Sequence, residues 1–143
     1  MLQRIQSIWL LLAAAFAAIT FRFPFYSGDR VVDAVTNTSA HVDLNATTTI
    51  WLSIITVLTG VIGFVTIFLF DNRKLQLRLC YLGIFLTLIM LIMFFLEVGN
   101  YVPGKGTFAL SCIFYFAILA FYILAARGIW KDEKLIKNMD RLR

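Results

Sequence analysis

The residues best suited to chemistry lie in one polar segment, residues 27–49, which separates the first two apolar stretches of the chain. It contains the only histidine, His41, together with Asp29, Asp33 and Asp43. Imidazole nitrogens and carboxylate oxygens are common metal ligands in proteins. Their spacing matches no established metal site, so the sequence favours solvated loop polarity, and no metal-binding residue is predicted.

Other reactive side chains give no firmer basis for an enzyme. Cys80 and Cys112 do not form the C-x-x-C pair that quinone-linked, four-span disulfide-forming enzymes use. They are expected near opposite membrane faces, whereas a disulfide requires Cα atoms within about 7 Å. One loop histidine does not supply a convincing Ser-His-Asp arrangement. We therefore expect no enzyme activity, no catalytic residue and no cofactor.

Glu97 is an acidic residue at the outer end of an apolar stretch. An ionisable residue inside a membrane is by default a functional hypothesis. Its position near the interface favours a carboxylate that reaches water and pairs with Arg22 or Lys105. Ion-coupled transport is the alternative.

The composition predicts a membrane protein. Of 143 residues, 61% are hydrophobic and only 15% are charged. A helix needs about 20 mostly apolar residues to cross a bilayer, and four such stretches occupy residues 5–23, 50–70, 79–98 and 108–129. We predict an all-α membrane protein, a single transmembrane domain of residues 1–143 folded as a four-helix up-down bundle.

The connections between these spans predict their arrangement. The outer loop, residues 24–49, contains β-prone segments at 30–35 and 41–44, which favour a small β-hairpin. The short inner connection 71–78 and the outer turn 100–106, with Pro103 and Gly104, predict antiparallel neighbours.

The basic residues predict the orientation. The outer side carries only Arg22, Arg30 and Lys105, and the other ten of the thirteen Lys and Arg residues lie on the opposite side. Because Lys and Arg near span ends are retained in the cytoplasm, both termini are predicted there. This distribution also explains the net charge of +5, so no nucleic-acid partner is expected.

Small and hydroxylated residues recur along one face of the second span, and this pattern predicts close helix packing in lipid. The third span contains a similar pair. Packing within the chain is the preferred interpretation, and a face for a partner protein is the alternative. The predicted packing residues are Ser53, Thr56, Gly60, Gly63, Gly83 and Thr87.

Beyond the fourth span, residues 131–143 are polar and amphipathic. Leu135, Ile136, Met139 and Leu142 lie on one helical face with basic residues around it. The pattern predicts a helix on the inner membrane surface, and a docking helix for a cytoplasmic partner is the alternative.

Four segments of the chain together carry a family resemblance. They are MLQRIQ at the start, NRKLQLRLC at 72–80, KDEKL at 131–135 and DRLR at 140–143. In this order they resemble the four-span inner-membrane family of Gram-negative bacteria catalogued as DUF4293. The resemblance implies a bacterial inner-membrane location and four helices, and it implies no reaction, substrate or catalytic residue.

All matching segments lie on the predicted cytoplasmic side, which focuses the functional hypothesis there. We expect a non-enzymatic accessory or structural subunit of a larger inner-membrane assembly, in contact with membrane lipid and with a membrane-protein partner or further copies of itself. The alternative is a small transporter or channel using Glu97 and the small-residue face of the second span. The predicted partner-binding residues are Arg4, Arg73, Lys74, Arg78, Lys131, Lys134, Lys137 and Arg141.

Overall fold

A computed structural model describes residues 2–33, 38–69 and 72–140. In these ranges the elements follow one another as α1 (Leu2–Ile19), β1 (Tyr26–Asp33), β2 (Thr38–Leu44), α2 (Ile50–Phe68), α3 (Arg73–Val98), β3 (Tyr101–Phe108) and α4 (Cys112–Asp140).

The four helices pack side by side in a ring. Helices α1 and α3 each pack against both α2 and α4. At the start of α2, the Thr49 hydroxyl donates to Glu97 near the end of α3, at 2.9 Å. Near the opposite ends of the two helices, the Gln76 amide of α3 donates to the Thr66 carbonyl of α2, at 3.3 Å. Helices α2 and α3 are therefore antiparallel, as the up-down prediction requires.

Among the described residues, three helices are long and apolar enough to cross a membrane: α2, α3 and the Cys112–Leu135 part of α4. The apolar part of α1, Ile5–Ile19, is shorter. Helix α1 ends before the predicted limit of 23, because the N–H groups of Phe21 and Arg22 donate to carbonyls three residues earlier, not four. Beyond them, Pro24 has no N–H to donate to the Thr20 carbonyl. The Tyr115 hydroxyl donates to that carbonyl instead, at 3.1 Å.

The described residues also form a three-stranded antiparallel sheet, so the protein is mostly helical, as predicted, but not all-α. The strand order is β2-β1-β3. The predicted hairpin is present, with pairs from Tyr26↔Leu44 to Asp33↔Thr38. Its strands are longer than predicted, since β1 begins at Tyr26 and β2 at Thr38. Residues 34–37, part of the predicted hairpin, lie outside the described residues.

The segment predicted as an outer turn, residues 100–106, contributes mostly to β3. Pro103 and Gly104 indicate a turn in the sequence, but an edge strand tolerates proline because its N–H need not pair. The β1–β3 approach depends on two glycines. A Cβ on Gly28 would lie 2.8 Å from the Cα of Gly106, closer than real contacts allow.

Two helices also begin or end differently from the prediction. Helix α3 begins at Arg73, so most of the predicted connection 71–78 is helical. Helix α4 begins at Cys112 and not at residue 108, because Phe108 belongs to β3. It then continues to Asp140, so the described part of the predicted tail 131–143 extends α4. Residues 141–143 lie outside the described residues.

Candidate functional site

Basic side chains collect at the end of the ring opposite the sheet. Arg73, Lys74 and Arg78 lie in the first two turns of α3, and Lys131 and Lys134 lie in the last third of α4. All but the half-buried Arg73 are exposed. None of the five forms an ion pair with another residue that the structure describes. Among the other predicted partner-binding residues, the side chains of Arg4 and Lys137 and the whole of Arg141 lie outside the described part.

A buried amide connects α1 to α4 at this end. Gln6 of α1 is buried and donates a hydrogen bond to the Asp132 carboxylate of α4. The side chain of Gln6 lies close to Gly128, where a Cβ would be 2.9 Å from its Cγ. Gln6 is not among the residues predicted from the sequence, although an amide within an apolar stretch is itself a signal for a buried polar contact.

Glu97 joins the sheet to the nearby ends of α2 and α3. Its Oε1 accepts the Thr49 hydrogen bond, and its Oε2 accepts one from Asn100 Nδ2 at 2.7 Å. The cation that reaches Glu97 is Arg30 of β1, with Nη2 3.8 Å from Oε2, and not Arg22 or Lys105. The Glu97 carboxylate is therefore paired with groups next to it, which explains how it is accommodated beside the sheet.

Tyr101 lies beside this group at the start of β3. It pairs with Arg30 across the sheet and is only 5% exposed. Among the described residues, its hydroxyl has no hydrogen-bond partner. Burial raises the pKa of Tyr101 above its ordinary value of 10, the charge of Arg30 opposes this shift, and that of Glu97 adds to it.

We expect Tyr101→Phe to leave stability unchanged or to increase it by up to about 1 kcal/mol, because it removes a buried hydroxyl without breaking a hydrogen bond. The raised pKa means that folding favours the neutral phenol. The stability due to Tyr101 is therefore present below pH 10 and lost as the pH rises beyond that value. Thermal unfolding in detergent between pH 8 and 11 measures both effects, and the variant should show a smaller alkaline loss. The exposed Tyr81→Phe is the matched control, and a loss above about 1 kcal/mol in Tyr101→Phe would contradict the prediction.

The strand register brings four polar side chains together on the exposed face of the sheet. Asp29 pairs with His41, and Ser27 pairs with Asp43. His41 Nδ1 lies 3.3 Å from Asp29 Oδ1, and His41 Nε2 lies 3.1 Å from Ser27 Oγ. This contact between Ser27, His41 and Asp29 could not be predicted from the sequence, because it depends on the strand register.

As far as its side chains are described, this cluster does not have the hydrogen-bond arrangement of a catalytic triad. The Ser27 hydroxyl donates to Asp43, so its proton is not directed to the histidine that would have to accept it. The His41 side chain is 66% exposed on an open face, where water competes for every contact. The described residues also contain no group of three or more His, Cys, Asp or Glu residues that could hold a metal ion.

The small residues of the second and third spans make room for a tyrosine of α4. Cβ atoms on Gly63 and Gly83 would collide with the side chain of Tyr122. The Tyr122 hydroxyl donates to the Thr59 carbonyl at 2.5 Å. Gly60 instead faces α1, where its Cβ would lie 3.3 Å from that of Ala17.

The hydroxyl residues of the same set bond to nearby carbonyls. Thr56 and Thr87 are buried and donate to carbonyls four residues earlier in their own helices, each at 2.7 Å. Ser53 donates to Ala46 before α2, also at 2.7 Å. The thiols of Cys80 and Cys112 are free. All six predicted packing residues therefore have packing or hydrogen-bond contacts within the chain itself.

Three apolar helices of membrane-spanning length and a small sheet at one end define a helical membrane protein. The chain belongs to the family DUF4293, a domain of unknown function, whose profile matches residues 2–142. This confirms the family resemblance seen in the sequence. No curated protein and no solved structure matches the chain significantly.

Proposed function

We propose that this chain is a non-enzymatic accessory subunit of a larger assembly in the bacterial inner membrane. One observation carries the proposal: cations of two helices are exposed at one end of the bundle without ion pairs to described residues. Exposed charge without an ion pair inside the protein is available to a partner. The surface formed by Arg73, Lys74, Arg78, Lys131 and Lys134 is here named the basic end.

The charge distribution supports a four-span topology with both termini in the cytoplasm. Arg22, Arg30 and Lys105 belong to the sheet end, whereas the cations near the helix connection and on α4 belong to the basic end. Retention of Lys and Arg on the cytoplasmic side favours a cytoplasmic basic end and an outer sheet. The α1–α4 packing favours α1 as a fourth span, although its apolar part is short.

The interior of the bundle favours a structural role over the alternative of a transporter or channel. Its largest buried side chains include Tyr115, Tyr122, Phe25 and Phe94. Tyr122 fills the space beside Gly63, in the face that the transport hypothesis assigns to a path. Glu97 is paired beside the sheet, not placed midway along α3.

Reversing the charge at three positions of the basic end tests the proposal. The triple variant Arg73→Glu, Lys74→Glu and Arg78→Glu should reduce recovery of a co-purifying membrane partner at least about tenfold. The new carboxylates would repel the acidic groups of a partner that binds the cations, at a cost of more than about 1.4 kcal/mol. Folding should persist, because acidic residues suit a helix N-terminus. Mild-detergent purification at native expression with mass spectrometry measures recovery, and a carboxy-terminal reporter verifies the orientation.

The matched control reverses Arg22 and Lys105 at the sheet end, and it should leave recovery unchanged. If the wild-type chain purifies without a stoichiometric partner, or if the triple variant retains its partner fully, the accessory-subunit proposal is wrong.

A further inference from the structure

Strand β2 is an open edge of the sheet. Within the part of the chain that the structure describes, β2 pairs only with β1, and β3 forms the other edge. Ala40, His41 and Asp43 of β2 are exposed. Proteins often protect an edge strand with proline or lysine, which hinder pairing with a further strand. Strand β3 contains Pro103 and Lys105, whereas β2 contains neither residue type, so β2 is the edge at which a further strand can pair.

The backbone of β2 presents two residues to this free edge. The Leu44 carbonyl accepts a hydrogen bond from the Phe25 N–H on the β1 side, whereas the Asp43 carbonyl accepts one from the Thr48 hydroxyl at 3.3 Å. Successive residues of a strand direct their N–H and C=O groups to alternate sides. The backbone groups of Asp43, and those of His41 two residues earlier, therefore point away from β1. A carbonyl oxygen has two lone pairs, so the bond from Thr48 leaves Asp43 able to accept another.

The buried face of the sheet packs against the helix ends. Tyr26 and Arg30 share this face, because side chains of alternate residues lie on the same side of a strand. Tyr26 is only 8% exposed, and Arg30 reaches Glu97 near the end of α3. An axis perpendicular to the sheet therefore runs roughly along the helices. Antiparallel edge strands of two copies are related by a two-fold axis in this direction, so the two bundles would stand side by side in one membrane.

The side chains of β2 favour one register for such a pair. With the axis at Val42, His41 of each copy lies opposite Asp43 of the other copy, and their outward backbone groups pair with one another. A donor opposite a carboxylate stabilises a cross-strand pair, whereas like charges in that position destabilise it. An axis at Asp43 would instead place two carboxylates opposite each other. The axis at Val42 also brings together two Val42 side chains, each half-buried beside the core in its own copy.

We infer that a second copy of this chain adds its β2 strand to this edge, antiparallel and centred on Val42, so that the two sheets become one. The arrangement of His41 and Asp43 on either side of Val42 is self-complementary, as a two-fold interface between identical chains requires. This self-complementarity favours a second copy over a strand of another protein. The inference concerns the sheet end, and it requires no partner at the basic end.

Disulfide cross-linking in native membranes tests the register, with a cysteine introduced at Val42 or at Ala40. In the inferred pair the two Val42 residues are directly opposite, at a Cα distance of about 4.5 Å, which a disulfide can bridge. The two Ala40 residues are offset by about 13 Å along the strands, which is too far. Val42→Cys should therefore yield at least about tenfold more cross-linked dimer than Ala40→Cys, although Ala40 is more exposed and lies on the same strand face.

Two controls separate this result from other contacts. The wild-type chain shows any cross-link through its own Cys80 and Cys112, and Thr107→Cys, at an exposed position of β3, examines the other edge. Both should remain monomeric. Equal cross-linking of Val42→Cys and Ala40→Cys, or no dimer of Val42→Cys, would overturn the inference. A cross-link from Val42→Cys to a different protein would assign the edge to another strand and would overturn it as well.

His41→Pro tests the backbone pairing itself, because it removes an N–H that points away from β1 and leaves the β1–β2 hydrogen bonds in place. Recovery of an untagged copy with a tagged copy in mild detergent should fall at least about tenfold, since the two-fold axis removes the hydrogen bond twice. Full recovery with a folded variant would overturn the inference, and if thermal unfolding shows that the variant is not folded, the cysteine pair decides. The charge-reversed basic end should dimerise like the wild-type chain, which keeps this test separate from the accessory-subunit proposal.

Discussion

Tyr122→Ala is expected to destabilise the protein by about 3–5 kcal/mol, as large buried aromatic truncations do. Tyr122 is fully buried, and its ring contacts α3 at Gly83 while its hydroxyl bonds α2 at Thr59. Because helices in lipid associate largely through close packing, an empty volume here removes contacts with two helices at once. No neighbouring side chain replaces them, since Gly63 and Gly83 have none.

Unfolding in detergent by heat or by sodium dodecyl sulfate measures this loss. Tyr122→Phe separates the ring from the hydroxyl and should cost only about 1 kcal/mol, the value of one hydrogen bond. Ile123→Ala, at a position 40% exposed, is the control for loss of apolar volume on the lipid side. Equal stabilities of the Ala and Phe variants would contradict the assigned role of the ring.

Phe25→Ala is expected to lower the free energy of unfolding by about 3–5 kcal/mol and to weaken the packing of the sheet on the helices. Phe25 is fully buried, with its ring centroid 5.1 Å from those of Phe94 and Tyr115. Its N–H donates to the Leu44 carbonyl at 2.6 Å, and its carbonyl accepts from Ala109 at 3.1 Å. Phe25 thus links the ends of β2 and β3 through its backbone to α3 and α4 through its ring.

Amide hydrogen exchange resolves where this loss occurs. In Phe25→Ala, exchange should accelerate in β1, β2 and β3 more than in the centres of the helices. Phe23→Ala is the matched control, because Phe23 is 49% exposed and its described ring contact is with Phe114 alone. Unchanged protection of the strands would show that Phe25 does not anchor them.

The sequence predicts the helices well because long apolar runs leave few alternatives in a bilayer. The end of α1 is predicted less well. Pro24 indicates a stop close to residue 23, but the i→i−4 pattern gives way earlier to i→i−3 hydrogen bonds at Phe21 and Arg22.

Strand β3 could not be predicted in the same way, because its pairing is non-local. Pro103 and Gly104 indicate a turn, and only the close approach of Gly28 to Gly106 shows that β1 can accept a third strand. The His41–Asp29 contact depends on register for the same reason, since a one-residue slip would move one side chain to the other face.

The basic end was predictable as a set of residues but not as a surface. Charge counting identifies Arg78 and Lys131, but only the packing of α3 against α4 shows that their helices are adjacent. Likewise, the small residues of the second span indicate close packing, but no local pattern shows that a tyrosine from α4 occupies the space beside Gly63. These features depend on which helices are adjacent and at what height.

The length of α1 has a consequence for the surrounding lipid. At 1.5 Å per residue, the 18 residues of α1 span about 27 Å and the 26 residues of α3 span about 39 Å, whereas a hydrocarbon core is about 30 Å thick. With α1 as the fourth span that we propose, the α1 side of the bundle would be the shorter one. Phe23 and Leu110 are exposed near its end, at 49% and 93%, and a thin membrane would accommodate this side with less distortion.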